Sequence, residues 1–241
     1  MSPRARGPLF FTGALIAALV FLRLGVWQWH RLEERRLHNA QVSAKRSLPV
    51  VAVDDPGQMA HLLPEDLNNR RVRVTGRYDH AADVVIRGQS EQGVPGVRIL
   101  TPFRPLRGDT AILVLRGYVP SPDARQVDLT PLHEDGVRVV SGIAILEADS
   151  GVPGAPLEQD GQLSWRRVDI AALRARLPYP LADWIVLQTP DSTLPSLPRR
   201  DDPAPLDDGP NLSYALQWFS FAVIAIVAGV AVWRKGGEGE R

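Results

Sequence analysis

The chain has 241 residues, with 28 lysines and arginines against 27 aspartates and glutamates, and no cysteine. A formal net charge of +1 gives nucleic acid little electrostatic reason to bind. The missing thiols exclude disulfides, thiolate catalysis, iron–sulfur clusters and cysteine-ligated zinc or copper.

Residues 1–8 read as a cytoplasmic tail. Residues 9–29 are apolar apart from Arg23, and at 1.5 Å per residue they span about 30 Å, the hydrocarbon thickness of a bilayer. They read as a transmembrane helix and not as a cleaved signal, because the run is too long and no small-x-small cleavage site precedes the polar chain. Arg23 lies about two turns from the outer end, where its side chain can snorkel or pair. The stretch 31–44 keeps helical propensity without an apolar stripe, so the helix is expected to run on into water for about two or three turns.

The period then changes. Runs at 72–79, 83–89, 97–105, 110–120, 137–146 and 182–189 are rich in β-branched residues, several alternate, and Gly, Pro and Asp separate them. They predict a mainly antiparallel sheet or barrel. Between the last two, residues 169–178 predict a soluble helix with Asp169 as N-cap, Pro178 as stop and Ile170, Leu173 and Leu177 on one face. Residues 189–210, crowded with Pro, Asp and Ser, read as an extended tether returning to the membrane.

Residues 212–233 carry no formal charge and are stopped by Arg234 and Lys235, the second transmembrane helix. Small residues, Gly13, Ala14, Ala17 and Ala18 on the first span and Ala222, Ala225, Ala228, Gly229 and Ala231 on the second, suit a close helix pair. The fold class is therefore membrane α+β: a two-helix hairpin in the lipid bilayer carrying a β-rich extracytoplasmic domain, residues 30–211. Arg4 and Arg6 before the first span, and Arg234, Lys235 and Arg241 in the tail 234–241, place both termini in the cytoplasm of a multi-pass cell-membrane protein. Arg31, Arg35 and Arg36 pull the other way.

No residue pattern demands an enzyme. His30, His38, His61, His80 and His133 are scattered without HxH or HxxxH spacing, so a metal site is unsupported. The acidic pairs Asp54/Asp55, Asp201/Asp202 and Asp207/Asp208 sit in Pro-rich turns and read as solvated loops. The outer helix ends stand out. Trp27, Gln28, Trp29 and His30 close the first, and Tyr214, Gln217 and Trp218 open the second. They read either as an aromatic belt with glutamine hydrogen bonds or as a holder for a planar amphipathic ligand, with His30 as an axial iron ligand.

In order along the chain, LGVWQWHRLEER (24–35), VTGRYD (74–79), VPGVRILTPFR (94–104), ILVLRGYVP (112–120) and NLSYALQWFSFA (211–222) resemble the Surfeit-locus-one (Surf-one/Shy-one) family of cytochrome c oxidase assembly factors. A family pattern like LGxWQxxR is met by Leu24, Gly25, Trp27, Gln28 and Arg31; one like LVxRGWVP is met with Tyr118 in the tryptophan position. Gly76, Gly96, Thr101, Pro102, Arg116 and Gly117 fall on other motif positions. The resemblance implies a non-enzymatic factor that assists delivery or insertion of heme a into oxidase subunit I, with that subunit and the heme a synthesis machinery as partners. The heme contacts it implies are Trp27, Gln28, His30, Arg31, Asn211, Tyr214, Gln217 and Trp218, with no other metal. A family pattern like NNHLxYAxxWF has a histidine where this chain has Asn211, and asparagine is not a normal axial ligand. A purely protein-binding stabiliser of an oxidase intermediate is the alternative.

Overall fold

A computed structural model of the protein describes residues 6–146, 156–159 and 161–238. Arg4 and Arg241, two of the expected topology charges, lie outside these. In chain order the elements are helix α1 (Arg6–Ser47), strand β1 (Val51–Ala52), one-turn helices α2 (Pro56–Met59) and α3 (Pro64–Leu67), and strands β2 (Arg71–Tyr78), β3 (Val84–Glu91), β4 (Val94–Pro105), β5 (Ala111–Pro120), β6 (Arg138–Leu146), β7 (Leu157–Gln159) and β8 (Gln162–Trp165). Helix α4 (Ile170–Arg174), strand β9 (Leu181–Gln188) and helix α5 (Asn211–Glu238) complete the chain. Two compact units result: residues 1–43 with 205–241, and residues 44–204.

The first unit is the helix pair. Each helix contains a stretch long and apolar enough to cross a membrane, Pro8–Ser47 and Asn211–Lys235. Along α1 as far as residue 32 the shielded positions are 11, 14, 18, 21, 25, 28 and 32, flanked by 17 and 24. On α5 they include 215, 218, 222, 225 and 229. This alternation of three and four is the seam of a left-handed coiled pair. The helices run antiparallel, for Phe21 stacks on Trp218 (ring centroids 5.7 Å) and Phe11 meets Trp233 (5.1 Å). Backbones come close where side chains are small: a Cβ on Gly229 would stand 2.9 Å from Ala14, and one on Gly25 would overlap the Phe219 ring. Of the small residues expected to pack, Ala14, Ala18, Ala222, Ala225 and Gly229 lie on the seam and Ala17 flanks it, whereas Gly13, Ala228 and Ala231 face outward.

Beyond Trp29, α1 continues to Ser47, about five turns and not two or three. Tertiary partners hold the extension. Leu32 is fully buried; Arg35 pairs with Asp207 (2.8 Å), Arg36 with Asp208 (2.6 Å), and Asn39 donates to the Asp207 carbonyl (2.7 Å). The hydrogen bond from Arg36 holds the Asp208 carboxyl below the usual carboxylate range. Asp207 and Asp208 are thus a clasp, not free loop acids.

The second unit is built on a closed five-stranded barrel in the order β2-β6-β9-β5-β4, completed by β4 pairing back to β2 through Tyr78 opposite Phe103 and Gly76 opposite Pro105. All its neighbours are antiparallel except β5 and β9. The six predicted strands appear with ends shifted by up to three residues; β1, β7 and β8, too short to show a period, were not foreseen. β3, β8 and β7 extend the sheet beyond β4. Val72, Val74, Phe103, Ile112, Val114, Val140, Trp184 and Val186 fill the barrel. A second cluster lies under α4, whose N-cap Asp169 accepts from Ala172 N–H (2.8 Å) and whose Leu173 is buried. That helix ends at Arg174, short of Pro178.

The expected tether is part of this unit up to residue 204. Arg199 and Tyr118 exchange backbone hydrogen bonds (2.7 and 2.8 Å), and Arg200 is buried. A polar, Pro-rich composition hid these contacts because they are made by backbone atoms and one long side chain.

Candidate functional site at the polar end of the barrel

The inward-facing residues of β5 read Ile112, Val114, Arg116, and those of β9 read Trp184, Val186, Gln188; β2 ends inward at Tyr78. Each strand changes from apolar to polar at the same end of the barrel. Three connections cover that end: the 3-10 turn His80–Ala82 with Asp83, residues 130–137, and residues 189–204.

Arg116 has no exposed surface. Its Nη2 donates to the Leu132 carbonyl and to Glu134 Oε1 (2.7 Å), and its guanidinium lies 4.9 Å over the Tyr78 ring. Arg200 Nη2 donates to the same Glu134 oxygen, while its Nε reaches Gln188 Oε1 (3.1 Å) and its Nη1 the Pro198 carbonyl (2.7 Å). One buried carboxylate therefore serves two buried guanidinium groups, a geometry that favours the carboxylate form of Glu134. Burial pushes the Glu134 carboxyl up, but the hydrogen bond from Arg116 and the charges of Arg200 and Arg116 outweigh it and hold it below the usual range. Burial, then the Glu134 charge, pushes the Tyr78 phenol far above its ordinary value. A cavity of about 550 Å3 opens over this network, lined by Tyr78, Glu134, Gln188, Val139 and Leu194 among others.

Beside it, His80 and His133, which sequence spacing left unrelated, stack at 4.2 Å between centroids. Asp83 lies 3.2 Å from His80 Nδ1 and 3.8 Å from His133 Nε2, and Thr101 donates to its other oxygen. The facing atoms of the trio lie within 4.8 Å of one another, close enough to consider a cation. The hydrogen bonding argues otherwise. His80 Nε2 accepts from Glu134 N–H (3.0 Å), so the ring proton sits on Nδ1 and points at Asp83. The two rings are stacked 13° from parallel, so no point near the trio lies in the plane of both. The trio is a latch between two covering loops.

The remaining motif residues serve this framework. Gly117 has φ +129°, and a Cβ there would overlap the Arg199 carbonyl oxygen at the Tyr118–Arg199 bridge. Gly96 packs against Tyr118 and Gly76 against the Arg104 carbonyl; the Pro102 carbonyl accepts from Asp79 N–H (2.8 Å).

At the helix ends, Gln28 and Trp218 lie on the seam, half-shielded, while Trp27, His30, Arg31, Tyr214 and Gln217 are exposed. Arg23, Trp27, His30 and Arg31 share one face of α1. Asn211 donates to the Asp208 carbonyl (3.4 Å) and Arg31 pairs with Glu34 (3.1 Å). Glu33 lies 3.5 Å from His30 Nδ1, which leaves His30 Nε2 outward. The cavities of the barrel domain are lined by other residues, and these helix-end side chains stand on an exposed flank.

The sequence pattern of the SURF1 family matches residues 15–223. Relatives include a "SURF1-like protein" of Monosiga brevicollis, 28% identical over 97% of this chain and 91% of its own length, and one of Rickettsia felis, 25% identical over 88% and 92%. "Surfeit locus protein 1" of Takifugu rubripes is 26% identical over 66% of this chain and 70% of its own. With most of its length inside the pattern, the chain belongs to the SURF1 family.

Proposed function

We propose that this chain is an assembly factor for cytochrome c oxidase, anchored in the cell membrane by α1 and α5 with both termini cytoplasmic, that assists heme a delivery or insertion into subunit I. Family membership carries this reading. The orientation rests on the basic residues of the two terminal flanks, Arg6, Arg234 and Lys235 among them, against the opposing cluster Arg31, Arg35 and Arg36. The residues that would contact heme are Trp27 by stacking, Arg23 and Arg31 at the propionates, and His30 through Nε2, steadied by Glu33 in the way carboxylates orient ligating imidazoles.

A second reading, a stabiliser of an oxidase intermediate that holds no heme, is favoured by Asn211 in the motif's histidine position and by the open flank on which the aromatic residues stand. The test is the reduced-minus-oxidised spectrum of membranes lacking this gene, complemented with wild type or with His30→Ala. A heme a band restored only by wild type supports heme handling through His30. Restoration by both supports the stabiliser, and an intact band in the deletion refutes the assembly role.

A further inference from the structure

Away from the barrel mouth, a second cavity of about 540 Å3 lies between β3, the turn after β5 and the segment after β8, walled by Arg87, Asp123, Arg125, Leu157, Arg166 and Arg167 among others. We infer that this cleft docks an acidic, extended segment of a protein partner, an inference that rests on the assembly-factor reading. Among the described residues the lining holds four arginines and one aspartate, in a chain whose overall charge is +1. That aspartate is already engaged: Asp123 Oδ1 accepts from Ser121 Oγ (2.8 Å), Arg125 N–H (2.8 Å) and Gln126 N–H (3.2 Å). Arg125, Arg166 and Arg167 are exposed and have no ion-pair or hydrogen-bond partner for their side chains among the described residues; Arg77 and Arg107 are likewise without one, but they do not line this cleft.

The walls are tied in place. Gly88 N–H donates to the Ala124 carbonyl (2.7 Å), Ala124 sits at φ +51°, and Arg87 Nη1 donates to the Ser164 carbonyl (2.6 Å). A left-handed non-glycine residue in a hydrogen-bonded turn is a strained, well-determined conformation of the kind found at binding sites. Guanidinium forks match carboxylates bidentately. Among the described residues Leu157 is the one large aliphatic side chain in the lining, unlike the mostly apolar walls of small-molecule sites. A flat bilayer surface does not enter a concave cleft, and an extended chain does.

The test uses the full chain in detergent and a fluorescent hexaglutamate peptide at low salt. The variant Arg166→Glu/Arg167→Glu is compared with Arg77→Glu/Arg107→Glu, which makes the same charge change elsewhere on the domain. We expect the cleft variant to weaken binding at least about tenfold, the control to change it less than about threefold, and Arg166→Gln/Arg167→Gln to fall between, all falling with added salt. Absence of peptide binding, equal loss in the control, or loss of binding to phosphatidylglycerol vesicles with peptide binding unchanged overturns the proposal. Failure of the membrane spectrum refutes the assembly role while leaving the peptide result standing, so the two failures are separable.

Discussion

Replacing Glu134 with glutamine leaves Arg116 and Arg200 buried together without their shared counter-charge. The amide keeps an acceptor at the same place but no charge, so the cost is that of an uncompensated buried ion, about 3 kcal/mol at the low end for a broken buried pair. For a domain of this size that corresponds to a fall in Tm of about 6–12 °C. Urea and thermal unfolding followed by tryptophan fluorescence read it, because Trp165 and Trp184 are buried in the barrel domain. The pH dependence supplies a second arm. The folded Glu134 carboxyl titrates below its unfolded value, so its stabilisation is present above about pH 4.3 and is lost as pH falls through the lower folded value. The gap between wild type and Glu134→Gln should therefore be constant near neutrality and close in acid. A Tm change under about 2 °C at pH 7, or a gap that widens in acid, refutes the argument that Glu134 is the ionised centre of the barrel mouth.

Gly117→Val meets both a left-handed backbone and the Arg199 carbonyl and should destabilise by more than about 3 kcal/mol, read as lost abundance in membranes. Gly25→Val should separate α1 from α5 because the side chain enters the Phe219 ring, while Gly13→Val, with nothing within 4 Å, should not; disulfide trapping between cysteines introduced at Ala14 and Gly229 distinguishes them, and equal trapping efficiency in both variants would contradict the seam. Alkaline titration at 295 nm should show Tyr78 ionising late through burial and Tyr179 ionising late through burial and its hydrogen bond to Asp79 (2.5 Å); ordinary titration of both would mean these two phenols are wet.

Local pattern carried the two apolar helices, the six long strands and the Asp169 cap, because each depends on period, composition or a neighbour within a few residues. The motif positions were legible too, but not their roles. Nothing near Arg116 in the sequence marks Glu134 or Arg200 as its partners, and His80 and His133 meet only because β2 and β5 end at the same mouth. Alternation offered one available clue, since Arg116 and Gln188 occupy inward positions of otherwise apolar strands and a buried polar residue requires a partner. The tether misled because its contacts are made mainly by backbone atoms, which composition does not report.

By itself the sequence determined a chain with two membrane-length helices, a β-rich middle and the motifs of its family, since hydrophobic run length and side-chain period act locally. Barrel closure, the Arg116–Glu134–Arg200 network, the arginine clasp on Asp207 and Asp208, and the gathering of Arg87, Arg125, Arg166 and Arg167 were decided by tertiary structure alone. Each depends on residues far apart in the chain, and only the register of strands and helices sets which of them meet.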